Sequence, residues 1–382
     1  MEYRILGRTG IRVSAVALGC EGFIGKTAAE VVSDFDYAAK LGINFVDIYS
    51  PNPELRTNIG AAIAGRRNDF VIQGHLCTVW EDGQYLRTRD ADKTSRSFKQ
   101  QLRQLGTDYL DIGMIHYVDS EADFKTVFEG PIIEMAERLK AEGRIRFIGM
   151  SSHNPTVALR AAQTGKVDVL MFSINPCYDL LPPSDDVEVL FDMKSYDSAL
   201  ENIDPERQRL YDFCARGGVG IDVMKVFGGG DLLSEERSPL GRALTEVQAL
   251  EYALTRPAVA AVMVGCKNRD EIGAAAAWCN ASAEQRDYAR AIAGLDKFSW
   301  KGHCMYCGHC APCTAGIDIA SVNKFSNLAS AQGAVPETVR EHYRSLEKHA
   351  SDCLACGACE QRCPFGVEIV ESMRVAAKRF GY

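Results

Sequence analysis

Leu110-Asp111-Ile112-Gly113-Met114-Ile115, a helical stretch from Ile132 to Ala141, then Ile145-Arg146-Phe147-Ile148-Gly149: this succession decides the fold. The two outer runs are apolar without strict alternation, as strands are when both faces of their sheet are covered. The stretch between them has a helical pattern, which makes a strand–helix–strand unit. Working outward, the same unit recurs. Upstream lie Ala15-Val16-Ala17-Leu18-Gly19, a helix from Val31 to Lys40, Phe45-Val46-Asp47 and Phe70-Val71-Ile72. Downstream lie Val167 to Ile174, Val219 to Val226 and Val259 to Val264. Helices over Ser95 to Leu105, Pro205 to Ala215 and Glu246 to Thr255 fill the remaining gaps. Eight such units over this length predict an α/β fold, a (β/α)8 TIM barrel. A doubly wound sheet is the alternative that the pattern alone leaves open.

Past the eighth unit the character changes. A helix from Glu284 to Phe298 leads out of the barrel, and the chain beyond Gly302 is helical between two cysteine-rich runs. Pro336 to Ala350 reads as one helix there. Six of the fourteen cysteines are scattered (Cys20, Cys77, Cys177, Cys214, Cys266 and Cys279), and the other eight lie from Cys304 onward. That asymmetry marks a boundary near Trp300, with residues 1–295 as the barrel and 296–382 as a second domain.

Composition narrows the function. The chain has 382 residues, 46% of them hydrophobic and 25% charged, an ordinary globular balance. A net charge of −8 gives no electrostatic footprint for nucleic acid. No apolar run is long enough to span a membrane. Met1-Glu2-Tyr3-Arg4 lacks the basic-then-apolar layout of a secretory signal, so a cytoplasmic location is expected. In that compartment fourteen cysteines are not a disulfide framework.

The two cysteine runs are Cys304-x-x-Cys307-x-x-Cys310-x-x-Cys313 and Cys353-x-x-Cys356-x-x-Cys359-x-x-x-Cys363-Pro364. Cysteines three apart reach two irons of one cubane, and a third, three further on, lets one tight loop supply three corners. In two-cluster ferredoxins the fourth thiolate comes from the other run. The expected sets are therefore Cys304, Cys307, Cys310 and Cys363 for one 4Fe–4S cluster, and Cys353, Cys356, Cys359 and Cys313 for the other. Pro364 turns the chain after the last ligand. Structural zinc also uses paired Cys-x-x-Cys, but two full quartets, the second followed by Pro, suit it poorly. Thiolate-held cubanes imply an oxygen-labile, anaerobic protein and one-electron chemistry. The helical insert between the runs is similar to that of α-helical ferredoxins.

The opening Tyr3-Arg4-Ile5-Leu6-Gly7-Arg8-Thr9-Gly10 with Val13-Ser14 resembles the N-terminal hairpin of aldo-keto reductases. The resemblance continues through Gly42-Ile43-Asn44-Phe45-Val46-Asp47, Asp108 to His116, Phe147-Ile148-Gly149-Met150-Ser151-Ser152, and Met224-Lys225 with Gly228-Gly229-Gly230. With the tail, the whole chain resembles the subfamily fused to a two-cluster, ferredoxin-like domain. The resemblance implies a site at the C-terminal ends of the strands. The family's tetrad is Asp, Tyr, Lys and His; Asp47 and His116 match it. Asn52 stands at the Tyr position and His75 at the Lys position. Asn is no acid, whereas His75 can be one near neutrality, and Tyr49 and Tyr117 are further candidate donors. For a nicotinamide dinucleotide, NAD(P), the resemblance implies Ser151 and Ser152 at the carboxamide, with Lys225 nearby. Gly265, Lys267 and Arg269 would lie at the adenosine phosphate. Met171 replaces the family's Gln, and Ala274 and Ala275 replace its acidic-and-amide pair.

The expected function is an iron–sulfur oxidoreductase that moves electrons between two 4Fe–4S clusters and a small carbonyl or hydroxyl substrate at the barrel mouth. Asp47, His75, His116, Asn52 and Tyr49 are its candidate catalytic residues. The alternatives are an NAD(P)-dependent aldo-keto reductase with accessory clusters, a non-enzymatic electron carrier, and a metal-assisted lyase or hydrolase using Asp47, His75, His116 and His153. No strand leads into a Gly-x-Gly-x-x-Gly helix start, so no flavin fingerprint is present. A nicotinamide gives up two electrons together and a cubane accepts one. The expected electron partner is therefore a low-potential, ferredoxin-like protein rather than NADPH, with no nucleic-acid or membrane partner.

Overall fold

Runs of Val, Ile, Leu, Met and Phe suit a sheet covered on both sides, and here they close it into a ring. The computed structural model describes residues 1–295, 297–330 and 335–382; the expected domain boundary at residue 296 lies outside them. The barrel strands are Val16–Gly19, Phe45–Ile48, Val71–Leu76, Leu110–Ile115, Ile145–Ser152, Val169–Ser173, Gly220–Met224 and Val259–Gly265. They are parallel, neighbour one another in chain order, and close where Val262 lies opposite Val16. Closure disposes of the doubly wound alternative.

Alternate residues of each strand point inward. The lower barrel is filled by Ala17, Phe45, Ile112, Met114, Val169, Met171, Ala261 and Met263. The hairpin of Tyr3–Ile5 and Arg12–Ser14 adds Leu6, Ile11 and Val13 to the same inner cluster. Gly7 makes the hairpin's approach possible: its φ is +50°, and a Cβ there would sit 2.3 Å from the Gly218 carbonyl oxygen.

The helices start on side chains suited to the task. Thr27 and Glu30 form a reciprocal capping box for Ala28–Lys40. Pro53–Ile63, Pro155–Gln163 and Pro205–Gly217 open on proline behind caps from Asn52, Asn154 and Asp204. The helix expected from Ser95 begins earlier, at Ala91, because Asp90 caps it.

Two expected helices are shorter than predicted. Within 284–298 only Tyr288–Ile292 is helical: Asp287 caps inside the segment, and Gly294, at φ 72°, turns the chain away. The chain then runs as Phe298–Ser299 beside Leu200–Glu201. Within 336–350 only Glu337–Arg344 is helical, because the chain folds back so that the Ala350 N–H donates to the buried Tyr343 hydroxyl at 2.8 Å.

The tail completes its fold with Ile319–Ser330, Ala358–Arg362 and Ile369–Phe380. It docks on the outer helical layer of the barrel, away from the strand ends that carry Asp47 and His75. Arg216 of helix Pro205–Gly217 reaches the Leu328 carbonyl. Arg256, just past helix Glu246–Leu254, and the Tyr288 hydroxyl both donate to the Met305 carbonyl at 2.6 Å. Among the described residues no helix is long and apolar enough to cross a membrane.

Candidate functional site

The inward parity that fills the lower barrel with apolar side chains turns polar at the strands' C-terminal ends. Phe45 is followed at the same parity by Asp47, Val71 by Gln73 and then His75, and Met114 by His116. Asp47, His75 and His116 are therefore brought together. The Asp47 carboxylate Oδ1 is 3.0 Å from His75 Nε2, and His75 Nδ1 is 2.7 Å from His116 Nδ1. The His75 side chain is only 1% exposed and that of Asp47 7%, whereas His116 is half-buried toward the mouth.

A carboxylate can only accept, so His75 presents Nε2–H to Asp47. Its Nδ1 then accepts from His116 Nδ1–H in the neutral pair, and His116 Nε2 is left as the proton-exchanging atom. Burial first, then repulsion from His75 and Arg89, holds the His116 imidazolium well below the usual histidine range. Arg89 also fixes the backbone here, donating to the carbonyls of His116 and Tyr117 and to Asp123.

Aromatic rings close around this chain. Tyr49 stacks on His116 at 5.8 Å, and Tyr85, from the hairpin Thr78–Glu81 and Gln84–Arg87, meets both Tyr49 and His116 edge-on. The Tyr49 hydroxyl donates to Glu21 Oε1 at 2.5 Å; burial first, then this bond, raises its pKa. Asn52 Oδ1 accepts from the Leu55 N–H as the N-cap of helix Pro53–Ile63, so that oxygen is committed to the helix.

The metal reading is corrected. Among the described residues no three His, Cys, Asp or Glu side chains are placed to hold a single metal ion. His153 is drawn off by a different carboxylate, its Nδ1 lying 2.8 Å from Asp119 Oδ2, with Tyr117 5.3 Å from its ring.

Sequence reasoning passed over Gln73, Asp222, Glu21, Tyr85 and Asp119. Gln73 Nε2 donates to Asp47 Oδ1 at 3.0 Å and to Asp222 Oδ1 at 3.3 Å, so one amide bridges two buried carboxyls. Burial, then Asp47, pushes the Asp222 carboxyl well above the usual range. Strand parity with Asp47 and His75 was the signal that could have found Gln73 and Asp222.

The residues expected at a dinucleotide are engaged within the protein. Ser151 Oγ accepts from the Tyr117 N–H at 2.8 Å, and the Ser152 hydroxyl donates to Asp119 at 2.9 Å. Met171 belongs to the apolar inner cluster. The Lys225 ammonium lies over Phe191 at 4.6 Å, and its backbone is left-handed. Arg269 binds Ser33, the Lys267 N–H donates to Glu271, and Gly265 ends the last strand exposed. The donor set fits a nicotinamide only in part: the Ser152 hydroxyl is spent on Asp119 and the carboxamide's Gln is a thioether, while the Ser151 hydroxyl accepts from Tyr117 and keeps its proton to donate.

In the tail, the eight cysteines fall into two groups of four. Cys304, Cys307, Cys310 and Cys363 line one small hollow, and Cys313, Cys353, Cys356 and Cys359 line another. Each takes three cysteines from one run and the fourth from the other. Apolar side chains such as Phe365, Val367 and Ile369, or Ile317, Ile319 and Met373, make up much of the rest. Hydrogen-bond donors approach sulfur: Asn323 Nδ2 lies 3.6 Å from Cys304 Sγ, and the Ala355 N–H 3.4 Å from Cys353 Sγ. Burial and the neighbouring thiols push the Cys310 thiol up to about 12. Four such sulfurs around one hollow need cations to ionise. The donor set fits a 4Fe–4S group in each hollow.

Comparison with known proteins completes the picture. Residues 16–242 match the description "Aldo/keto reductase family". An uncharacterized oxidoreductase of Bacillus subtilis, YqkF, is 28% identical over 296 residues, which are 71% of this chain and 89% of that protein. L-galactose dehydrogenase of Arabidopsis thaliana is 29% identical over 203 residues, 48% of this chain and 61% of that one. Among solved structures, the holo form of an aldo-keto reductase from Bacillus halodurans is similar, with a TM-score of 0.58 and 24% identity. That likeness covers 77% of this chain and 97% of that one.

Proposed function

Because the chain belongs to the aldo/keto reductase family and is an oxidoreductase of that type, we propose a carbonyl–alcohol oxidoreductase whose electrons pass through the tail. One observation carries this reading. A single chain holds two four-cysteine hollows and, at the barrel mouth, an Asp47–His75–His116 chain without the family's tyrosine and lysine. Cys304, Cys307, Cys310 and Cys363 would hold one 4Fe–4S cluster, and Cys313, Cys353, Cys356 and Cys359 the other. A cluster bound there supplies electrons singly, at a potential set by its surroundings.

The barrel residues supply the proton chemistry. Reducing a carbonyl to an alcohol consumes two electrons and two protons. Neutral His116 keeps its proton on Nδ1, so Nε2 is assigned to take a proton from solvent at the mouth and pass it to the carbonyl oxygen as the electrons arrive, because His75 is turned inward to Asp47. The second proton, for the carbonyl carbon, also comes from solvent. Asp47 holds His75 in the tautomer that accepts from His116, the carboxylate–imidazole arrangement extended by one ring. Having passed that proton on, His116 is back in its neutral form with Nε2 free to accept the next one from solvent. Tyr49, Tyr85 and Tyr117 wall the mouth, which suits a small organic substrate.

The external partner is proposed to be a low-potential, ferredoxin-like protein. The Ser152 hydroxyl, spent on Asp119, and the thioether of Met171 support this over direct reduction by NADPH. Protein purified without oxygen should contain about eight iron and eight sulfide per chain, the content of two cubanes. Zinc without sulfide would overturn the cluster reading. Rapid bleaching by NADPH, in protein shown to lack flavin, would overturn the proposed partner.

A further inference from the structure

The two cysteine hollows have unlike surroundings. The hollow of Cys313, Cys353, Cys356 and Cys359 faces outward: Cys356 is exposed, and Leu354 between its ligands is 67% exposed. Its nearest guanidinium, Arg362, is itself exposed and donates to the Cys310 and Pro312 carbonyls. The hollow of Cys304, Cys307, Cys310 and Cys363 lies against the barrel. Met305 and Tyr306, which link Cys304 to Cys307, are 1% and 8% exposed.

Directly beneath that link is Arg256, 1% exposed. One of its terminal nitrogens donates to the Met305 carbonyl at 2.6 Å, with the Tyr288 hydroxyl on the same oxygen, also at 2.6 Å. Its guanidinium carbon lies 5.6 Å from the Tyr306 ring centroid and 4.6 Å from that of Tyr252. Its other terminal nitrogen is buried with no hydrogen-bond partner. A buried cation with an unmatched N–H is costly, unless negative charge faces it.

The other titratable groups in reach provide only part of that charge, because the one carboxylate that faces Arg256, Asp179, is already paired with Arg207. His303 and Lys324 are neutral or cationic and offer no negative charge. His309 pairs with Asp287, and Asp179, which does face Arg256, shares its oxygens with Arg207, Tyr211 and Tyr252. Four thiolates with a bound cluster carry net negative charge in either oxidation state, and they lie on the far side of the Met305–Tyr306 link.

We infer that Arg256 is the positioning and charge-balancing residue of the inner cysteine site, and that it makes the two sites electrochemically unequal. This rests on the cluster reading above. Adding an electron to the inner site adds negative charge in a buried place, which burial opposes and Arg256 favours. The outer site is offset by solvent instead. Removing the guanidinium charge therefore makes the inner site harder to reduce and leaves the outer one unchanged. Losing the hold on Met305 also loosens the loop that carries Cys304 and Cys307.

The test uses the whole chain, purified without oxygen, as wild type, Arg256→Gln and Arg256→Lys. Iron and sulfide are assayed first, and protein without sulfide sinks the cluster reading itself and this inference with it. A redox titration followed by electron paramagnetic resonance then reads the two sites. In Arg256→Gln one midpoint should move to more negative potential while the other stays put, and Arg256→Lys should keep both near wild type. Unmoved midpoints in Arg256→Gln at full iron content would overturn the inference. Should Arg256→Gln fail to fold, Arg256→Lys still decides. Lysine has no planar guanidinium to hold the Tyr252 carbonyl through Nε and the Met305 carbonyl through a terminal nitrogen at once. Half the iron should therefore be lost to air several-fold faster than in wild type. Equal loss rates would then refute the positioning role.

Discussion

Replacing Asp222 by Asn should flatten the dependence of stability on pH. Asp222 lies inside the barrel, 0% exposed; its Oδ1 accepts one bond from Gln73 at 3.3 Å and its Oδ2 meets no partner. Burial and then Asp47 raise its carboxyl well above the usual range, so the fold keeps a proton that the unfolded chain releases near pH 4. Above that pH the folded state binds more protons than the unfolded one, and the free energy of unfolding falls as pH rises. The slope from this one group is about 1.4 kcal/mol per pH unit while the folded carboxyl stays protonated. Between pH 5 and pH 7 its ceiling is about 2.7 kcal/mol, large against a typical net stability of about 5–15 kcal/mol. Asn has the same shape and no proton to lose. Urea unfolding followed by far-ultraviolet circular dichroism, in oxygen-free buffer across this range, reads the difference. The variant's advantage over wild type should grow steadily with pH. Parallel curves would mean that Asp222 is ionised in the fold, and the reasoning from burial would fail.

Three other substitutions probe the site. His116→Ala should lower carbonyl reduction driven by reduced methyl viologen by about 10²–10⁴, the range for a lost general acid, with iron content unchanged; undiminished turnover would remove His116 as the donor. His116 is held neutral in the fold, so its contribution to stability is present above the ordinary histidine value of about 6.5 and is lost as pH falls below it; His116→Gln should lose less stability on acidification, and equal losses by urea titration would contradict this. Asn52→Ala should cost about 1 kcal/mol of stability as a lost helix cap while leaving turnover per folded molecule unchanged; a collapse of turnover at full folding would return Asn52 to the chemistry.

The barrel was legible because its strands are separate apolar runs spaced by helices, and because their inward parity repeats along the chain. The cysteine spacing pointed to the two groups of four cysteines that line the tail's hollows, since sulfurs three residues apart lie close along the chain. Asp47 and His116 could be picked out by resemblance, and His75 by its place on the third strand. What each of them does was not legible. Asn52 reads as a substituted acid in the linear sequence, yet one bond to the Leu55 N–H makes it a helix cap. His153 reads as a fourth ligand to a barrel metal, yet Asp119, from a loop after a different strand, claims it. The ends of the helices near 284–298 and 336–350 depended on Gly294 and on Tyr343, whose effects are a turn and a long-range bond. Gln73 joins Asp47 to Asp222 only because closure of the ring brings strands distant in sequence to face each other across its interior. Arg256 looks like any surface arginine until the tail folds over it. The sequence by itself determined which elements form and which atoms are chemically able, since propensity, parity and ligand spacing are local. Only the tertiary structure decided which able atoms meet, which are occupied elsewhere and which are buried without a partner, since those depend on contacts that closure of the barrel and docking of the tail create.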